Sequence, residues 1–201
     1  MPATASLRDH KRRQTRERIE QTALRLFAAH GFDAVTVEDV CREAHVGPAT
    51  FYRHFGTKEE VVFAYRDDFT TALRRALDAG GQVAEGERLP VVLGEFAAFL
   101  ESQQDLLALR DQIVLGHPRL MQGTLAVQRD MEGALAAGLA RLRGLPSPDP
   151  AALLEAGVGI LVLRVALRSW RTEGGGSLQT ATQRTLVRLR GVVAGLAIGG
   201  E

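Results

Sequence analysis

Apolar residues in this chain recur at helical intervals and almost nowhere in the alternation of a strand. Ile19, Ala23, Leu26 and Phe27 fall at i, i+4, i+7 and i+8, which places them in one stripe along a helix face. Gly31 follows, where a left-handed cap ends a helix. Val37, Val40, Cys41 and Ala44 repeat the pattern at i, i+3, i+4 and i+7. Thr36 precedes that second stripe as an N-cap, with Asp39 three residues on. His45-Val46-Gly47 then interrupts it, and a third short helix opens at Pro48, a residue suited to a first turn. Its Phe51 and Phe55 lie one turn apart. Thr57 with Glu60 starts a fourth helix as a capping box.

The same spacing continues through the rest of the 201 residues. Helices are expected at about 15–30, 36–44, 48–55, 58–79, 90–103, 104–116, 118–143, 150–173 and 177–198. Gly80-Gly81, Gly86, Gly144 to Pro148 and Gly174-Gly175-Gly176 punctuate them, and Asp149-Pro150 is a cap followed by a first-turn proline. The expectation is therefore an all-α chain of about nine helices. Residues 1–66, with a basic N-terminal arm, and residues 67–201 would form two helical domains.

Charge supports that division. Lys+Arg is 25 and Asp+Glu is 24, a net of only +1. Residues 1–18 nevertheless hold Arg8, Lys11, Arg12, Arg13, Arg16 and Arg18 against Asp9 and Glu17. A basic arm ahead of the first helix can reach phosphates or a groove, or be merely a solvated tail. The single cysteine, Cys41, excludes a disulfide scaffold and a paired-cysteine zinc site. It sits on the apolar stripe and reads as packing. No apolar leader opens the chain, and the longest apolar run, Ala156–Leu163, falls short of the ~18 residues that span a bilayer. The expected location is cytoplasmic. Gly157-x-Gly159 lacks the third glycine of a dinucleotide loop, and there is no P-loop, nucleophile elbow or His-Glu-x-x-His. No cofactor or metal is implied.

Two short helices joined by a tight turn, with a supporting helix before them, make a helix-turn-helix. One short helix must project far enough to enter a major groove ~12 Å wide, so it needs a few large anchors inside and small or polar residues outside. Phe51 and Phe55 are the anchors; Gly47, Pro48, Ala49, Tyr52 and Arg53 face out. The run Ala49-Thr50-Phe51-Tyr52-Arg53-His54-Phe55 followed by Lys58-Glu59-Glu60, with Phe27, Gly31-Phe32, Thr36-Val37, Asp39-Val40, Ala44 and Val46 before it, resembles the TetR family of regulators. The resemblance covers residues 15–66. It implies that residues 1–66 are a three-helix DNA-binding domain with a basic N-terminal arm and residues 67–201 a larger helical effector-binding and dimerisation domain, in a dimeric, ligand-responsive transcriptional regulator, most simply a repressor released from a palindromic double-stranded operator by a small effector. Phosphate contacts carry over to Thr36, Tyr52, His54 and Lys58, and base-edge contacts to Gly47, Pro48, Ala49 and Arg53, with Thr50 beside them. The family usually has glycine where this chain has His45, and serine where it has Gly47. A non-glycine residue in that turn must tolerate positive φ, and the loss of serine removes a side-chain cap.

The second half is less legible. Leu109, Arg110, Ile113 to Leu120 and Trp170 before the glycine run resemble the mycofactocin-regulator-like subgroup of the family, whose implied effectors are acyl-CoA-like. Arg110, His117, Arg119 and Trp170 are the pocket candidates on that basis. Each has a plainer reading as surface arginine, helix-end histidine or core tryptophan. The 177–198 helix, with Leu178, Leu186, Leu189, Val193 and Leu196, suits a four-helix bundle with a second copy, or packing within the chain. Two further readings stay open: an effector-independent architectural DNA binder, and an enzyme acting on an apolar small molecule. No nucleophile–base pair supports the enzyme.

Overall fold

The computed structural model describes residues 7–197, with backbone alone at 196 and 197; Leu196 of the expected stripe therefore lies outside the described side chains. Helices follow one another throughout: α1 Leu7–His30, α2 Val37–Glu43, α3 Pro48–His54, α4 Lys58–Val62, α5 Arg66–Gly80, α6 Glu85–Ser102, α7 Gln104–Leu115, α8 Pro118–Leu142, α9 Pro150–Glu173 and α10 Leu178–Ala197. Among the described residues there is no strand. α4 and α5 together occupy the single helix expected over 58–79; Phe63 to Tyr65 form the turn between them.

Two features depart from expectation. The basic segment is not an arm. From Leu7 onward it is the first three turns of α1, and the Thr15 hydroxyl bonds back to the Lys11 carbonyl at 2.9 Å. Leu, Arg, Lys and Gln are all good helix formers, and Asp9 sits in the first turn, where a carboxylate complements the helix dipole. Reading this stretch by charge alone hid its propensity. α6 also begins five residues before Pro90, so that proline lies inside a helix. The residue at i−4 is Gly86. Proline there costs one backbone hydrogen bond.

The chain divides into two compact units. The first comprises residues up to Arg66 together with Gln104–Ala126; the second comprises Asp67–Gln103 and the residues from Val127 on. The sequence boundary near 66 does not anticipate the return of 104–126 to the first unit. The reason is packing. Ile113 and Leu120 are 5% and 2% exposed within the same core as Ile19, Leu24, Phe27, Val40, Phe51 and Phe55. Arg110 of α7 pairs with Glu20 of α1, with both side chains buried.

In the second unit, small residues let helices close in. A Cβ on Gly138 would lie 2.2 Å from Leu77 Cδ1, and one on Gly80 2.5 Å from Val92 Cγ2. Asp149 caps α9 by accepting from the Ala152 amide at 2.8 Å, with Pro150 behind it, and Gly174 closes the helix at φ 65. Arg143 gathers Glu155, Glu85 and Asp149 around it. Glu101 accepts from the Leu178 amide at 2.8 Å and so caps α10 from α6. α9 is long and apolar enough to cross a membrane, with a mean hydropathy of 1.8 over its most apolar window. Here it packs against α6 and α10, burying Ala152, Ala156, Gly159, Val162, Leu163 and Ala166.

Gly138→Val tests the close approach of α8 to Leu77. The added methyls overpack a site already in contact, and the expected loss is about 1–3 kcal/mol. Urea unfolding at constant m measures it; an unchanged midpoint would mean that Leu77 swings aside freely.

Candidate nucleic-acid interface

The local chemistry of α2 and α3 builds a short, stiff, outward-facing helix. Thr36 accepts from the Asp39 amide at 3.1 Å, while the Asp39 carboxylate accepts from the Thr36 amide at 3.0 Å and from its hydroxyl at 2.6 Å. These bonds, with Arg42 at 2.8 Å, hold the Asp39 carboxyl down at about 2. The box is reciprocal, as the Thr36–Asp39 spacing predicts. It also engages the Thr36 hydroxyl proton.

At the far end of α2, the His45 amide donates to the Arg42 carbonyl and the Val46 amide to the Cys41 carbonyl, at 3.3 and 3.0 Å. That pair of bonds is a Schellman closure with His45 at the left-handed position. His45 has φ 52, the one non-glycine residue with positive φ among those described. The turn does require the conformation that glycine adopts freely, and an imidazole occupies it.

Gly47 caps α3 in an extended conformation without a side-chain bond, and Pro48 takes the first turn. Phe51 and Phe55 are buried to 0% and 2% exposure, their rings 5.8 Å apart. On the outer face Gly47, Pro48, Ala49, Tyr52 and Arg53 are all exposed, and Thr50 is half-buried. Arg53 leans back to the Thr50 hydroxyl at 3.2 Å. His54 is half-buried. Burial first, then the charges of Arg53, Arg12 and Arg16, push its imidazole below its usual value.

Two cations hold the motif from inside. Arg16 donates to the His54 carbonyl at 3.0 Å and the Ala64 carbonyl at 3.5 Å, and lies 4.6 Å over the Phe55 ring. Lys58 donates to the carbonyls of Phe32 and Val35 at 2.8 and 3.1 Å, and stands 4.4 Å over the Phe32 ring. An ammonium has three donors, so one remains for an outside partner. Sequence reasoning counted Arg16 among arm charges and missed its inward role. Its spacing gives the signal, since Arg16 lies one turn and two turns ahead of Glu20 and Ala23 on the buried side of α1.

The four pocket candidates are placed differently. The Arg110 guanidinium is 4% exposed; it pairs with Glu20, donates to the Val62 carbonyl at 3.2 Å and lies 4.7 Å from the Tyr65 ring centroid. It is a packing link in the first unit. His117 bonds to Asp33 at 3.1 Å and meets the Phe32 ring edge-on. Arg119 is exposed. Trp170 belongs to the second unit, half-buried, with its indole donating to the Gly176 carbonyl at 3.0 Å.

Residues 19–65 match the family described as bacterial regulatory proteins, tetR family. The helix-turn-helix transcriptional regulator TcmR of Streptomyces glaucescens is 32% identical over 157 residues, covering 74% of this chain and 69% of its own. MftR of Mycobacterium tuberculosis, named as a mycofactocin biosynthesis transcriptional regulator, is 26% identical over 140 residues, 69% of this chain and 71% of its own. Among solved structures, the FadR repressor of Thermus thermophilus in complex with lauroyl-CoA superposes with a TM-score of 0.52 at 23% identity, over 85% of this chain and 91% of that one.

His45→Gly should raise stability by about 0.5–1 kcal/mol. Left-handed backbone costs an L-residue ~1–2 kcal/mol, and glycine returns part of that gain through its freer unfolded chain. A shift of the urea midpoint reads it out, and a loss instead of a gain would show that the imidazole makes a compensating contact.

Proposed function

The chain belongs to the TetR family of bacterial transcription regulators, and on that premise we propose that it is a ligand-responsive dimeric repressor, held on a near-palindromic operator and released by a small apolar or acyl-type effector. The observation that carries the DNA-binding half is α3. It is seven residues long, anchored by two buried phenylalanines, and bare of bulk on its outer face apart from Tyr52 and Arg53.

Tyr52 is 54% exposed and its hydroxyl suits a phosphate oxygen. Lys58 offers its third donor, His54 its imidazole, and Thr36 its hydroxyl on exchange of the Asp39 bond. Gly47, Pro48, Ala49 and Thr50 line the approach to the bases. Arg53 is the one outward side chain of α3 able to grip a guanine with two hydrogen bonds. Such a regulator acts on DNA in the cytoplasm.

Large apolar side chains on the last two helices support the dimer. Leu154, Leu161 and Val165 follow one another at i, i+7 and i+11 along α9 and are 73%, 40% and 42% exposed. Val187, Val192 and Val193 of α10 are 57–67% exposed. Two contiguous helices seldom leave this much apolar surface in water without a partner. The effector class rests on the likeness to FadR, whose structure holds lauroyl-CoA.

Binding selections on randomised duplexes test the readout. Arg53→Ala is expected to cost about 1–3 kcal/mol per half-site and to relax preference at one base position only. Uniformly weaker binding with an unchanged motif would reduce Arg53 to a phosphate contact. The interface has its own test: Leu161→Glu with Val193→Glu alters exposed positions, so the fold should persist while light scattering reports monomer. A double variant that stays dimeric would place the interface elsewhere.

A further inference from the structure

The first unit holds a cleft of about 360 Å³ that no assigned DNA contact uses. One wall is the last turn of α1 with the turn to α2; the other is the end of α7 with the turn to α8. Its volume falls within the roughly 300–1,000 Å³ of small-molecule sites. The floor is apolar: Phe27, Phe32 and Ile113 are at most 6% exposed.

The charged side chain beside that floor is an acceptor, the carboxylate of Asp33. The Asp33 carboxylate is 84% exposed, and its one described partner is His117 Nε2, 3.1 Å from both oxygens. Gln112 donates one side-chain amide N–H to the Ala28 carbonyl at 3.3 Å, which leaves its Oε1 and a second N–H. His117 Nδ1 is buried and has no hydrogen-bond partner among the described residues. The tautomer that donates Nε2–H to Asp33 leaves Nδ1 as a lone-pair acceptor. No lysine or arginine lines the cleft. The nearest cation recorded against its walls is Lys58 over Phe32, and that ammonium is engaged with two backbone carbonyls.

An apolar floor with an exposed carboxylate and an amide oxygen beside it, and no lysine or arginine among its described lining residues, disfavours an anion. It suits a ligand that donates hydrogen bonds and carries positive charge on a compact apolar body. We propose that this cleft is a binding site for a small organic ammonium ion, separate from any effector site in the second unit. Its occupant would touch the α1–α2 turn that Lys58 fastens to α4.

The test is an NMR titration of the full chain, free of DNA, with benzylammonium and with its neutral counterpart benzyl alcohol. Because no operator is present, the outcome is independent of the repressor reading. Benzylammonium is expected to give saturable shifts confined to Gly31, Asp33, Gly116, His117 and the Gln112 side-chain amide, with a Kd at or below about 1 mM, an ordinary efficiency for so small a ligand. Asp33→Asn should weaken it about two- to fivefold, the share of an ion pair at an exposed carboxylate. Asp33 is exposed, so the variant should fold; the comparison of the two probes on the unaltered protein stands in any case. Absence of saturable shifts, equal binding of benzyl alcohol, or undiminished binding by Asp33→Asn would each overturn the proposal.

Discussion

The ion pair between Arg110 and Glu20 is what makes the first unit more than its first 66 residues. Two charges taken out of water are costly, and the cost is met only where geometry is good and the remaining donors are used. Here they are: the Arg110 guanidinium also donates to the Val62 carbonyl and lies against the Tyr65 ring. Burial pushes the Tyr65 phenol up, with the Arg110 charge opposing it. α7 is thereby fixed to α1 and to the end of α4 at a single side chain. One turn earlier on α1, Arg16 fixes the end of α3. α1 is thus a rod with two attachments spaced by four residues, one to α7 and one to α3.

Much of the helix-turn-helix could be read from sequence because its rules are local. Thr36 and Asp39 cap within four residues, Pro48 and Gly47 mark a helix start, and Phe51 with Phe55 define an inner face by spacing alone. His45 stands out through the resemblance, which puts glycine in that turn, and its φ of 52 is the left-handed conformation that glycine favours. What escaped depends on contacts between distant segments. Nothing near Arg110 in the sequence says that Glu20, ninety residues away, will neutralise it. Charge counted without propensity turned the start of α1 into an arm. Lys58 illustrates a subtler limit: its position in a motif suggests a partner outside the protein, whereas two of its donors face backbone carbonyls within it.

α9 inverts the usual order of an amphipathic helix. Its buried side is largely small, with Ala152, Ala156, Gly159 and Ala166, whereas Leu154, Leu161 and Val165 point away from the core. Small residues inside bring α9 close to its neighbours, as the nearness of Gly159 to Leu135 and Leu93 shows. The large residues are left for a second surface. A hydropathy scan sees only the sum of the two and flags a membrane span.

The division of the first unit into two stretches of chain has a kinetic consequence. Its core is complete only when Ile113 and Leu120 reach Ile19 and Phe27, across some ninety residues of intervening chain. Closing a loop of that length costs entropy before any contact repays it, and folding slows as contacts become less local. On the ribosome the three-helix segment emerges early, with apolar side chains exposed where α7 and α8 will later sit. Until synthesis passes Ala126, the nascent α3 stands on an unfinished core. That interval is when chaperones, or aggregation with other nascent chains, can claim it.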